Sequence, residues 1–306
     1  MDLYDLIIIG AGPAGITAGI YAARKKIKTL LITKDFTGQV GLSWKIENYP
    51  GFKQISGLKL MENLKSHLKE YEIEIKNFEE VQQIIKDNNQ FQVITNENKY
   101  LARAIIIATG ALPKKLAIKN EEKFLGHGLS YCLTCDEKAF EGKNVAVIGG
   151  GNAGAEAALE LQKFCSQIYL LEYLENLTCD EILKEELLNS PLIKVITNAE
   201  VLSFEGEKEL EKIIFKDRKI NELKEVFING CFVEIGTKPN TEFLEGIVEL
   251  NERKEIVIDP KTMETSVKGI FAAGDVCNFN QKQIIIACGQ GALATLSAYQ
   301  YLKTLK

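Results

Sequence analysis

Two glycine fingerprints, each placed between a buried strand and a helix, constrain the fold of this chain more than any other feature. The first is Gly10-Ala-Gly-Pro-Ala-Gly15, which follows an apolar run from Tyr4. The second is Gly149-Gly-Gly-Asn-Ala-Gly154, which follows the apolar run 144–148 and precedes a predicted helix over 155–164. Both stretches predict a strand–turn–helix–strand unit with a parallel sheet. The predicted fold class is therefore α/β with two Rossmann-like nucleotide-binding domains.

Length and charge agree with this prediction and exclude other classes of protein. A chain of 306 residues is long enough for two domains. The 37 basic and 42 acidic residues give a net charge of -5, which does not favour nucleic acid or an anionic membrane surface as a partner. No uninterrupted apolar run reaches the roughly 18 residues of a spanning helix. We expect a cytoplasmic protein.

The first fingerprint has the spacing of a dinucleotide-binding turn. Gly10 would make the tight turn, Gly12 would let the backbone approach a pyrophosphate, and Gly15 would let the helix pack on the strand. The helix beginning near Pro13 would direct its positive end at the phosphates. The alternative is a tight turn without a ligand. The second strand ends at 33–34 without the acid that usually holds an adenine ribose, so that contact stays unassigned.

The second fingerprint is followed by such an acid. Glu172 ends the next predicted strand, 18 residues after Gly154, close to the spacing at which a carboxylate accepts from a ribose 2′-hydroxyl. A carboxylate would repel a 2′-phosphate, and residues 173–176 offer no cation for one; the nearest downstream base is Lys184. This favours NADH over NADPH. The alternative is that Glu172 is a solvated strand end.

Between the two fingerprints lies the only pair of cysteines with two intervening residues, Cys132 and Cys135. This spacing is typical of a reversible disulfide. A zinc site would need two more ligands, and only His127 is close in sequence, so we interpret the pair as redox-active and expect no metal. Asp136 would be the acid that protonates a leaving thiolate if burial raises its pKa; its alternative role is a helix cap.

The order of all these motifs resembles the low-mass thioredoxin reductase family along essentially the whole chain. The motifs that carry the resemblance are Gly10–Gly15, Gly38-Gln39, Ile46–Gly51, Ala108–Gly110, Cys132–Asp136, Gly149–Gly154, Ala273–Asp275 and Lys282-Gln283. The second half is similar to one branch, the NADH-using flavoprotein reductase of alkyl hydroperoxide reductase systems. That branch usually carries an extra N-terminal dithiol domain. This chain starts at the flavin fold, so we expect an external carrier to supply that step.

The resemblance implies that FAD sits on the first fold, formed by residues 1–114 and 244–306, and that the NADH-binding fold, residues 115–243, is inserted between them. It implies that Gly274-Asp275 meets the ribityl and phosphate groups and that Gln283 lies near the flavin ring. The implied cofactor-binding residues are Gly10, Gly12, Pro13, Ala14, Gly15, Gly38, Gln39, Asn48, Thr109, Gly110, Gly274, Asp275, Gln283 and Ile284 for FAD, and Gly149, Gly151, Asn152, Gly154 and Glu172 for NADH.

The function implied by the resemblance is electron transfer from NADH through FAD and the Cys132/Cys135 disulfide to a dithiol protein. Cys135 would face the flavin and Cys132 would attack the partner's disulfide, with Asp136 as acid. The inserted domain would rotate about hinges at 112–115 and 236–241. The partner would be a thioredoxin-like, glutaredoxin-like or peroxiredoxin-linked protein, and the chain a homodimer.

Three alternatives stay open at this point. The same fold could take electrons from reduced ferredoxin, although the intact second fingerprint argues against that route. The protein could be a non-enzymatic flavin and dithiol redox sensor, or a flavin-only NADH oxidase. Two departures from the family also matter: Glu137 stands where glycine commonly follows the Cys-x-x-Cys-Asp motif, and the arginine cluster of the NADPH-using members is absent.

Overall fold

The computed structural model describes residues 2–43, 46, 48–87 and 90–305, with all their side chains except those of Leu42, Thr134 and Cys135. The strands are β1 (Leu3–Ile9), β2 (Thr29–Thr33), β3 (Glu74–Asn77), β4 (Val81–Asp87), β5 (Gln90–Thr95), β6 (Lys99–Ile107), β7 (Ala111–Pro113), β8 (Leu129–Ser130), β9 (Asn144–Ile148), β10 (Gln167–Leu171), β11 (Ile193–Ile196), β12 (Ala199–Glu205), β13 (Lys212–Asp217), β14 (Glu222–Phe227), β15 (Gly230–Val233), β16 (Thr237–Pro239) and β17 (Ile270–Ala272). The α-helices are α1 (Pro13–Arg24), α2 (Gly57–Lys69), α3 (Glu121–Phe124), α4 (Leu133–Asp136), α5 (Asn152–Leu161), α6 (Glu181–Asn189) and α7 (Ile284–Thr304).

The chain divides into two compact units. Unit 1 comprises Met1–Gly41, Tyr49–Leu112 and Lys238–Lys306, and unit 2 comprises Leu42–Asn48 and Pro113–Thr237. Strands β7 and β16 form a two-stranded sheet of their own. None of the helices in the described part of the chain is long and apolar enough to cross a lipid bilayer.

Unit 1 is built on a sheet of seven strands in which β1 lies at the centre. The order is β3-β2-β1-β6-β5-β4, and β17 also pairs with β6. Strands β1, β2, β3, β6 and β17 are parallel, whereas β4 and β5 are antiparallel additions. Residues Leu6–Ile9 are buried, as are Thr29–Thr33, which fits parallel strands covered on both faces. The parallel strands therefore end at one edge, where the residues that follow them meet.

Helices α1 and α7 pack closely in unit 1 because small residues face each other. A Cβ on Gly291 of α7 would lie 2.1 Å from the carbonyl oxygen of Ala14. Thr295, one turn further along α7, is fully buried and its hydroxyl donates to the carbonyl oxygens of Gly291 (2.9 Å) and Ala18 (3.2 Å). This contact fixes α7 against the first glycine turn.

Unit 2 has a parallel sheet of five strands in the order β11-β10-β9-β15-β8. Alternate residues of β9 enter two separate apolar clusters: Val145 and Val147 belong to one, Ala146 and Ile148 to the other, as the two faces of a strand require. A three-stranded antiparallel sheet, β12-β13-β14, completes the unit. The predicted α/β class with two Rossmann-like halves is thus confirmed.

One predicted element boundary in unit 2 is wrong. The helix after the second fingerprint starts at Asn152 and not at Ala155, because Gly154 already packs within the first helical turn. Strands β14 and β15 follow one another closely in sequence. The chain turns between them, where the backbone N–H of Asn229 donates to the carbonyl oxygen of Asn144 at 2.7 Å.

Candidate active site

The first glycine turn connects β1 to α1, and its three glycines have different surroundings. A Cβ on Gly10, whose φ is +104°, would lie 2.3 Å from the carbonyl oxygen of Ala108, and one on Gly15 would lie 1.9 Å from the carbonyl oxygen of Gly10. A Cβ on Gly12 would meet no atom within 4 Å. Gly12 caps α1 without a side-chain hydrogen bond, and Pro13 follows as the first helical residue. The turn is closed on the strand side and open at Gly12, which suits the approach of a phosphate.

The residues after β17 lie beside the same turn. Gly274 has a φ of +84°, and a Cβ on it would lie 3.1 Å from the Ala14 Cβ. The backbone N–H of Gly274 donates to Oε1 of Gln290 on α7 at 2.8 Å. Burial raises the pKa of the Asp275 carboxyl, and the Lys282 ammonium opposes that rise. The structure therefore places Gly274, which Asp275 follows, beside the first glycine turn; the contact of these residues with FAD stays a prediction.

Sequence reasoning missed Gln290. Its side chain is 8% exposed, and its Nε2 is a buried donor with no partner among the described residues. The available signal was its position: it is the one polar long side chain on the buried face of α7, two helical turns after Gln283. A buried donor without an acceptor indicates a place where a bound polar group completes the hydrogen bonding.

Other residues predicted to line the flavin are held by unit 1 itself. The Thr109 hydroxyl donates to the carbonyl oxygen of Asn240 (2.9 Å), and the side-chain amide of Asn240 donates to the carbonyl oxygen of Thr109 (2.8 Å). The backbone N–H of Asn240 donates to the carbonyl oxygen of Gly110 (3.0 Å). These three bonds fasten the ends of two loops. Asn240 is a positioning residue that the predicted site did not include.

A carboxylate orders the loop after β2. Asp35 Oδ1 accepts from the backbone N–H groups of Thr37 (2.7 Å) and Gly38 (2.9 Å), so this carboxylate orders the loop that carries Gly38 and Gln39. Gln39 begins a short 3₁₀ helix. Asn48 is exposed. Gln283 is the residue that precedes α7, and Ile284 is its first residue.

The second glycine turn repeats the geometry of the first. A Cβ on Gly149, whose φ is +122°, would lie 2.4 Å from the carbonyl oxygen of Glu234, and one on Gly154 would lie 1.8 Å from the carbonyl oxygen of Gly149. At Gly151 the nearest atom to such a Cβ is Thr178 Oγ1, at 3.7 Å. The turn is again closed towards the sheet and open at its middle glycine.

Asn152 and Glu172 both bind the protein's own backbone. Asn152 Oδ1 accepts from the N–H of Asp180 at 2.8 Å, and its amide donates to the Asp180 carboxylate at 3.1 Å. Glu172 is 8% exposed; its Oε2 accepts from the N–H of Gly150 (2.5 Å) and its Oε1 from the N–H of Leu174 (2.7 Å). Glu172 is therefore not a solvated strand end. It is a buried brace between the glycine turn and the loop after β10.

The loop after β10 has a cation beside it that is distant from it in sequence. The Arg218 guanidinium stacks on the Tyr173 ring, 3.9 Å from its centroid, and donates to the carbonyl oxygen of Tyr173 at 2.8 Å. Arg218 follows β13 and is 45 residues away from Tyr173. A search for cations in the sequence around Glu172 therefore does not find it. The half-exposed Tyr173 ring and its bound arginine thus flank Glu172 at the adenosine end of the predicted nucleotide site.

The cysteine motif follows β8, at the same carboxyl edge of the sheet as the second glycine turn. Cys132 is disulfide-bonded, whereas Cys165, Cys179, Cys231, Cys277 and Cys288 are free and buried. The side chain of Cys135 lies outside the described side chains, so its pairing with Cys132 stays a prediction. β8 is three strands from β10 in the sheet, which corresponds to about 14 Å at the usual strand spacing of about 4.8 Å.

Asp136 is held beside Cys132 by a serine. The Ser130 hydroxyl donates to Asp136 Oδ2 at 2.5 Å and accepts from the N–H of Cys132 at 3.0 Å. Burial raises the pKa of Asp136, and the hydrogen bond from Ser130 opposes that rise. Burial, followed by the repulsion of Glu160, also raises the pKa of Glu137. The residue that departs from the family pattern is thus partly withdrawn from solvent.

With this geometry established, comparison with known proteins identifies the family. The family model described as pyridine nucleotide-disulphide oxidoreductase matches residues 4–291. The chain belongs to this family. The match spans both glycine turns, the cysteine motif and Gly274-Asp275, so the members' shared order of motifs extends over nearly all of the chain.

Relatives in this family confirm the resemblance drawn from the motifs. One of the subunits of alkyl hydroperoxide reductase in Escherichia coli (strain K12) is 40% identical over 306 residues, and the NADH dehydrogenase of Bacillus subtilis (strain 168) is 40% identical over 299 residues. Each match covers 98% of this chain and 58% of the relative. This chain therefore spans a little over half the length of these curated relatives.

A solved structure supports the same assignment. Thioredoxin reductase from Streptococcus pyogenes MGAS5005 superimposes with a TM-score of 0.94 at 31% identity, covering 99% of both chains. The chain thus has the fold of a thioredoxin reductase. Membership of the pyridine nucleotide-disulphide oxidoreductase family implies FAD and a nicotinamide nucleotide as cofactors.

The residues present fit these two cofactors. In unit 1, a bound dinucleotide would fill the open position at Gly12. It would also provide an acceptor for the unpartnered Nε2 of Gln290. In unit 2, the open position at Gly151 provides a second such cradle. Each unit by itself thus has the features of a dinucleotide site.

Proposed function

We propose that this protein is an NADH-dependent flavin disulfide reductase that delivers electrons through the Cys132/Cys135 disulfide to a dithiol carrier protein. The carrier would be thioredoxin-like, glutaredoxin-like or a dithiol domain linked to a peroxiredoxin. The proposal includes a homodimer in the cytoplasm, which rests on the resemblance and on the composition respectively.

The observation that carries the proposal is the placement of a nucleotide cradle and a disulfide on one edge of one sheet. Gly151 follows β9 and Cys132 follows β8, and both strands pair in parallel with β15. Ligands of parallel α/β sheets bind at the carboxyl ends of the strands. A binding protein without redox chemistry has no need for a reducible disulfide there.

The protein's residues have separate tasks in this function. In unit 1, Gly12 and the start of α1 would hold the FAD pyrophosphate, and Gly274 and Gln290 would hold the chain that leads to the ring. Bound FAD would supply the chemistry that links hydride transfer from NADH to reduction of a disulfide by an electron pair. In unit 2, Gly151 admits the NADH pyrophosphate, and Cys132 presents its sulfur to the carrier.

Glu172 supports the preference for NADH in a different way from the one the motif suggests. Both of its carboxylate oxygens already accept a backbone N–H, so its main influence on coenzyme choice is its charge. A buried carboxylate beside the ribose repels a 2′-phosphate. Arg218 opposes that repulsion from Tyr173, so we expect a preference for NADH and not an absolute requirement.

The first test is an anaerobic titration of the purified yellow protein with NADH and, separately, NADPH, followed by the flavin absorbance. Bleaching at lower concentrations of NADH than of NADPH supports the proposed coenzyme. Failure of both to bleach the flavin would refute it and would favour the ferredoxin-fed alternative.

The second test measures NADH-dependent reduction of a thioredoxin disulfide. Cys132→Ser should abolish it, and Cys165→Ser is the matched control, because that buried free thiol already donates to a carbonyl oxygen, as a serine would. Sustained oxygen-dependent NADH consumption as the main activity of both variants and the parent would instead identify a flavin-only oxidase. Absence of any turnover, with normal flavin bleaching, would favour a sensor.

A further inference from the structure

The hydrogen bonds around Ser130 form a connected set in unit 2. Ser130 ends β8 and is 7% exposed. Its oxygen accepts from the N–H of Cys132, and its hydroxyl hydrogen points to Asp136 Oδ2, 2.5 Å away. The carbonyl oxygen of Cys132 is a more distant acceptor for the same hydrogen, at 3.3 Å. One hydroxyl thus links the residue before the cysteine motif to the carboxyl at its end.

The two oxygens of Asp136 are unequal. Oδ2 receives the Ser130 hydroxyl, whereas Oδ1 is buried and has no partner among the described residues. An ionised carboxylate with one buried oxygen unpaired is costly, whereas a neutral carboxyl can place its hydrogen on that oxygen. Because the Ser130 hydrogen occupies Oδ2, the proton of the neutral acid belongs on Oδ1.

We propose that Ser130 is a positioning residue of the dithiol site, which holds Asp136 in the one orientation that carries its transferable proton on Oδ1. The inference deepens the proposed function and rests on it. When an electron pair breaks the S–S bond, each sulfur atom gains a negative charge that one proton neutralises. Asp136 supplies one of these protons: its Oδ1–H bond breaks, an S–H bond forms at the leaving thiolate, and the carboxylate regains a proton from water.

The charges near this set do not replace Ser130. The influences on the Asp136 pKa are burial, which raises it, and the Ser130 hydrogen bond, which lowers it. Glu137 follows on the chain; burial raises its pKa, with Glu160 adding to the rise and Lys138 and Lys163 opposing it. The Ser130 hydroxyl is therefore the group through which the protein adjusts this acid.

The test is a pH titration of the Asp136 carboxyl by infrared difference spectroscopy on the holoprotein, which needs no turnover. The band is assigned by its loss in Asp136→Asn. In Ser130→Ala the midpoint should move to higher pH by about one pH unit, the size expected from losing one hydrogen bond to a charged group. Ser130→Thr keeps the hydroxyl and should restore the parent midpoint. Ser203→Ala is the control, because Ser203 is an equally buried serine of the same unit, 8% exposed.

The same variants are then assayed for carrier reduction against pH. Since the neutral acid donates the proton, the rate should fall as the pH rises through the Asp136 pKa, and this fall should occur at higher pH in Ser130→Ala, with a maximum rate about tenfold lower because the acid is no longer oriented. An unmoved infrared midpoint in Ser130→Ala overturns the inference. A moved midpoint without any carrier reduction in the parent overturns the proposed function instead.

A second measurement on the parent keeps the inference testable if Ser130→Ala does not fold. The neutral Asp136 carboxyl should show a C=O stretching frequency lowered by one hydrogen bond, as a donor on Oδ2 requires. A frequency typical of a free C=O would overturn the assignment of the proton to Oδ1.

Discussion

Replacing Glu172 by glutamine separates two roles that the structure gives this side chain. Glu172 is 8% exposed and accepts one backbone N–H on each oxygen, from Gly150 and from Leu174. Glutamine has nearly the same shape but offers one acceptor oxygen and one NH2 group. One of the two backbone donors will therefore face another donor.

The magnitude follows from these two bonds. An unpaired buried donor costs about 1 to 3 kcal/mol, and a hydrogen bond to a charged group is worth about 1 kcal/mol more than a neutral one. The glycine turn should therefore lose about 2 to 4 kcal/mol of local stability. Amide hydrogen exchange in peptides covering 149–154 and 172–177 should become roughly 30- to 1000-fold faster, since each 1.4 kcal/mol is a factor of ten.

The effect on coenzyme choice is electrostatic. At a distance of about 5 Å, the repulsion energy between a carboxylate and each negative charge of a phosphate is about 1 to 3 kcal/mol, for effective dielectric constants between that of water and about 20. Glu172→Gln should therefore lower the ratio of kcat/KM for NADH over NADPH by about 10- to 100-fold. Glu175→Gln, in the same loop but exposed, removes one negative charge without a buried hydrogen bond and is the matched control.

The two readouts can disagree, and the disagreement is informative. Faster exchange with an unchanged coenzyme ratio would refute Glu172 as the selector and leave it as a brace only. An equal fall of the ratio in Glu175→Gln would show that net charge near the loop, and not this buried carboxylate, selects the coenzyme.

Three further predictions test the fold and the sites. Gly12→Ala should fold but bind FAD at least tenfold more weakly, because its methyl would enter the space meant for the pyrophosphate, whereas Gly10→Ala should fail to fold, because its Cβ would lie 2.3 Å from a backbone oxygen; bound flavin per folded chain measures both. Burial raises the pKa of Glu234 from 4.5 to about 7. The parent should therefore lose about 2 to 3 kcal/mol of its free energy of unfolding as the pH rises from about 4.5 to about 7, and Glu234→Gln should not. Equal changes in both proteins in urea unfolding at pH 5 and pH 8 would contradict this. Lys282→Met should destabilise unit 1 by about 2 to 4 kcal/mol, because it removes the cation 2.9 Å from the buried Glu255 carboxylate and leaves the Asn251 amide as its donor; a urea midpoint equal to that of the parent would contradict this.

The parts of the fold that the sequence predicts are those in which one local rule dominates. Each glycine turn needs a positive φ at its first glycine and the absence of a Cβ at its third, and Gly10 and Gly149 have φ values of +104° and +122°. These requirements are local, so a spacing of a few residues reveals them. The continuous apolar runs of β1 and β9 are equally local signals of buried parallel strands.

The parts that the sequence does not predict depend on contacts between distant segments. Gln290 reaches Gly274 across 16 residues, Asn240 binds Thr109 across 131, and Arg218 stacks on Tyr173 across 45. No spacing rule relates these residues, because the sheet order and the packing of α7 bring them together. The boundary of α5 was wrong for a related reason: the first helical turn is defined by the packing of glycine on glycine and not by the apolar period.

Glu172 shows how a correct residue can be assigned an incomplete role. The motif identifies the acid because its position at the end of β10 is fixed by the parallel sheet. The motif does not reveal that the backbone of Gly150 and Leu174 already uses both oxygens. A carboxylate in this state has less hydrogen-bonding capacity for a ribose. Coenzyme selection at this site is therefore expected to depend on the balance between this buried charge and the guanidinium of Arg218, which is a property of the folded unit and not of the motif.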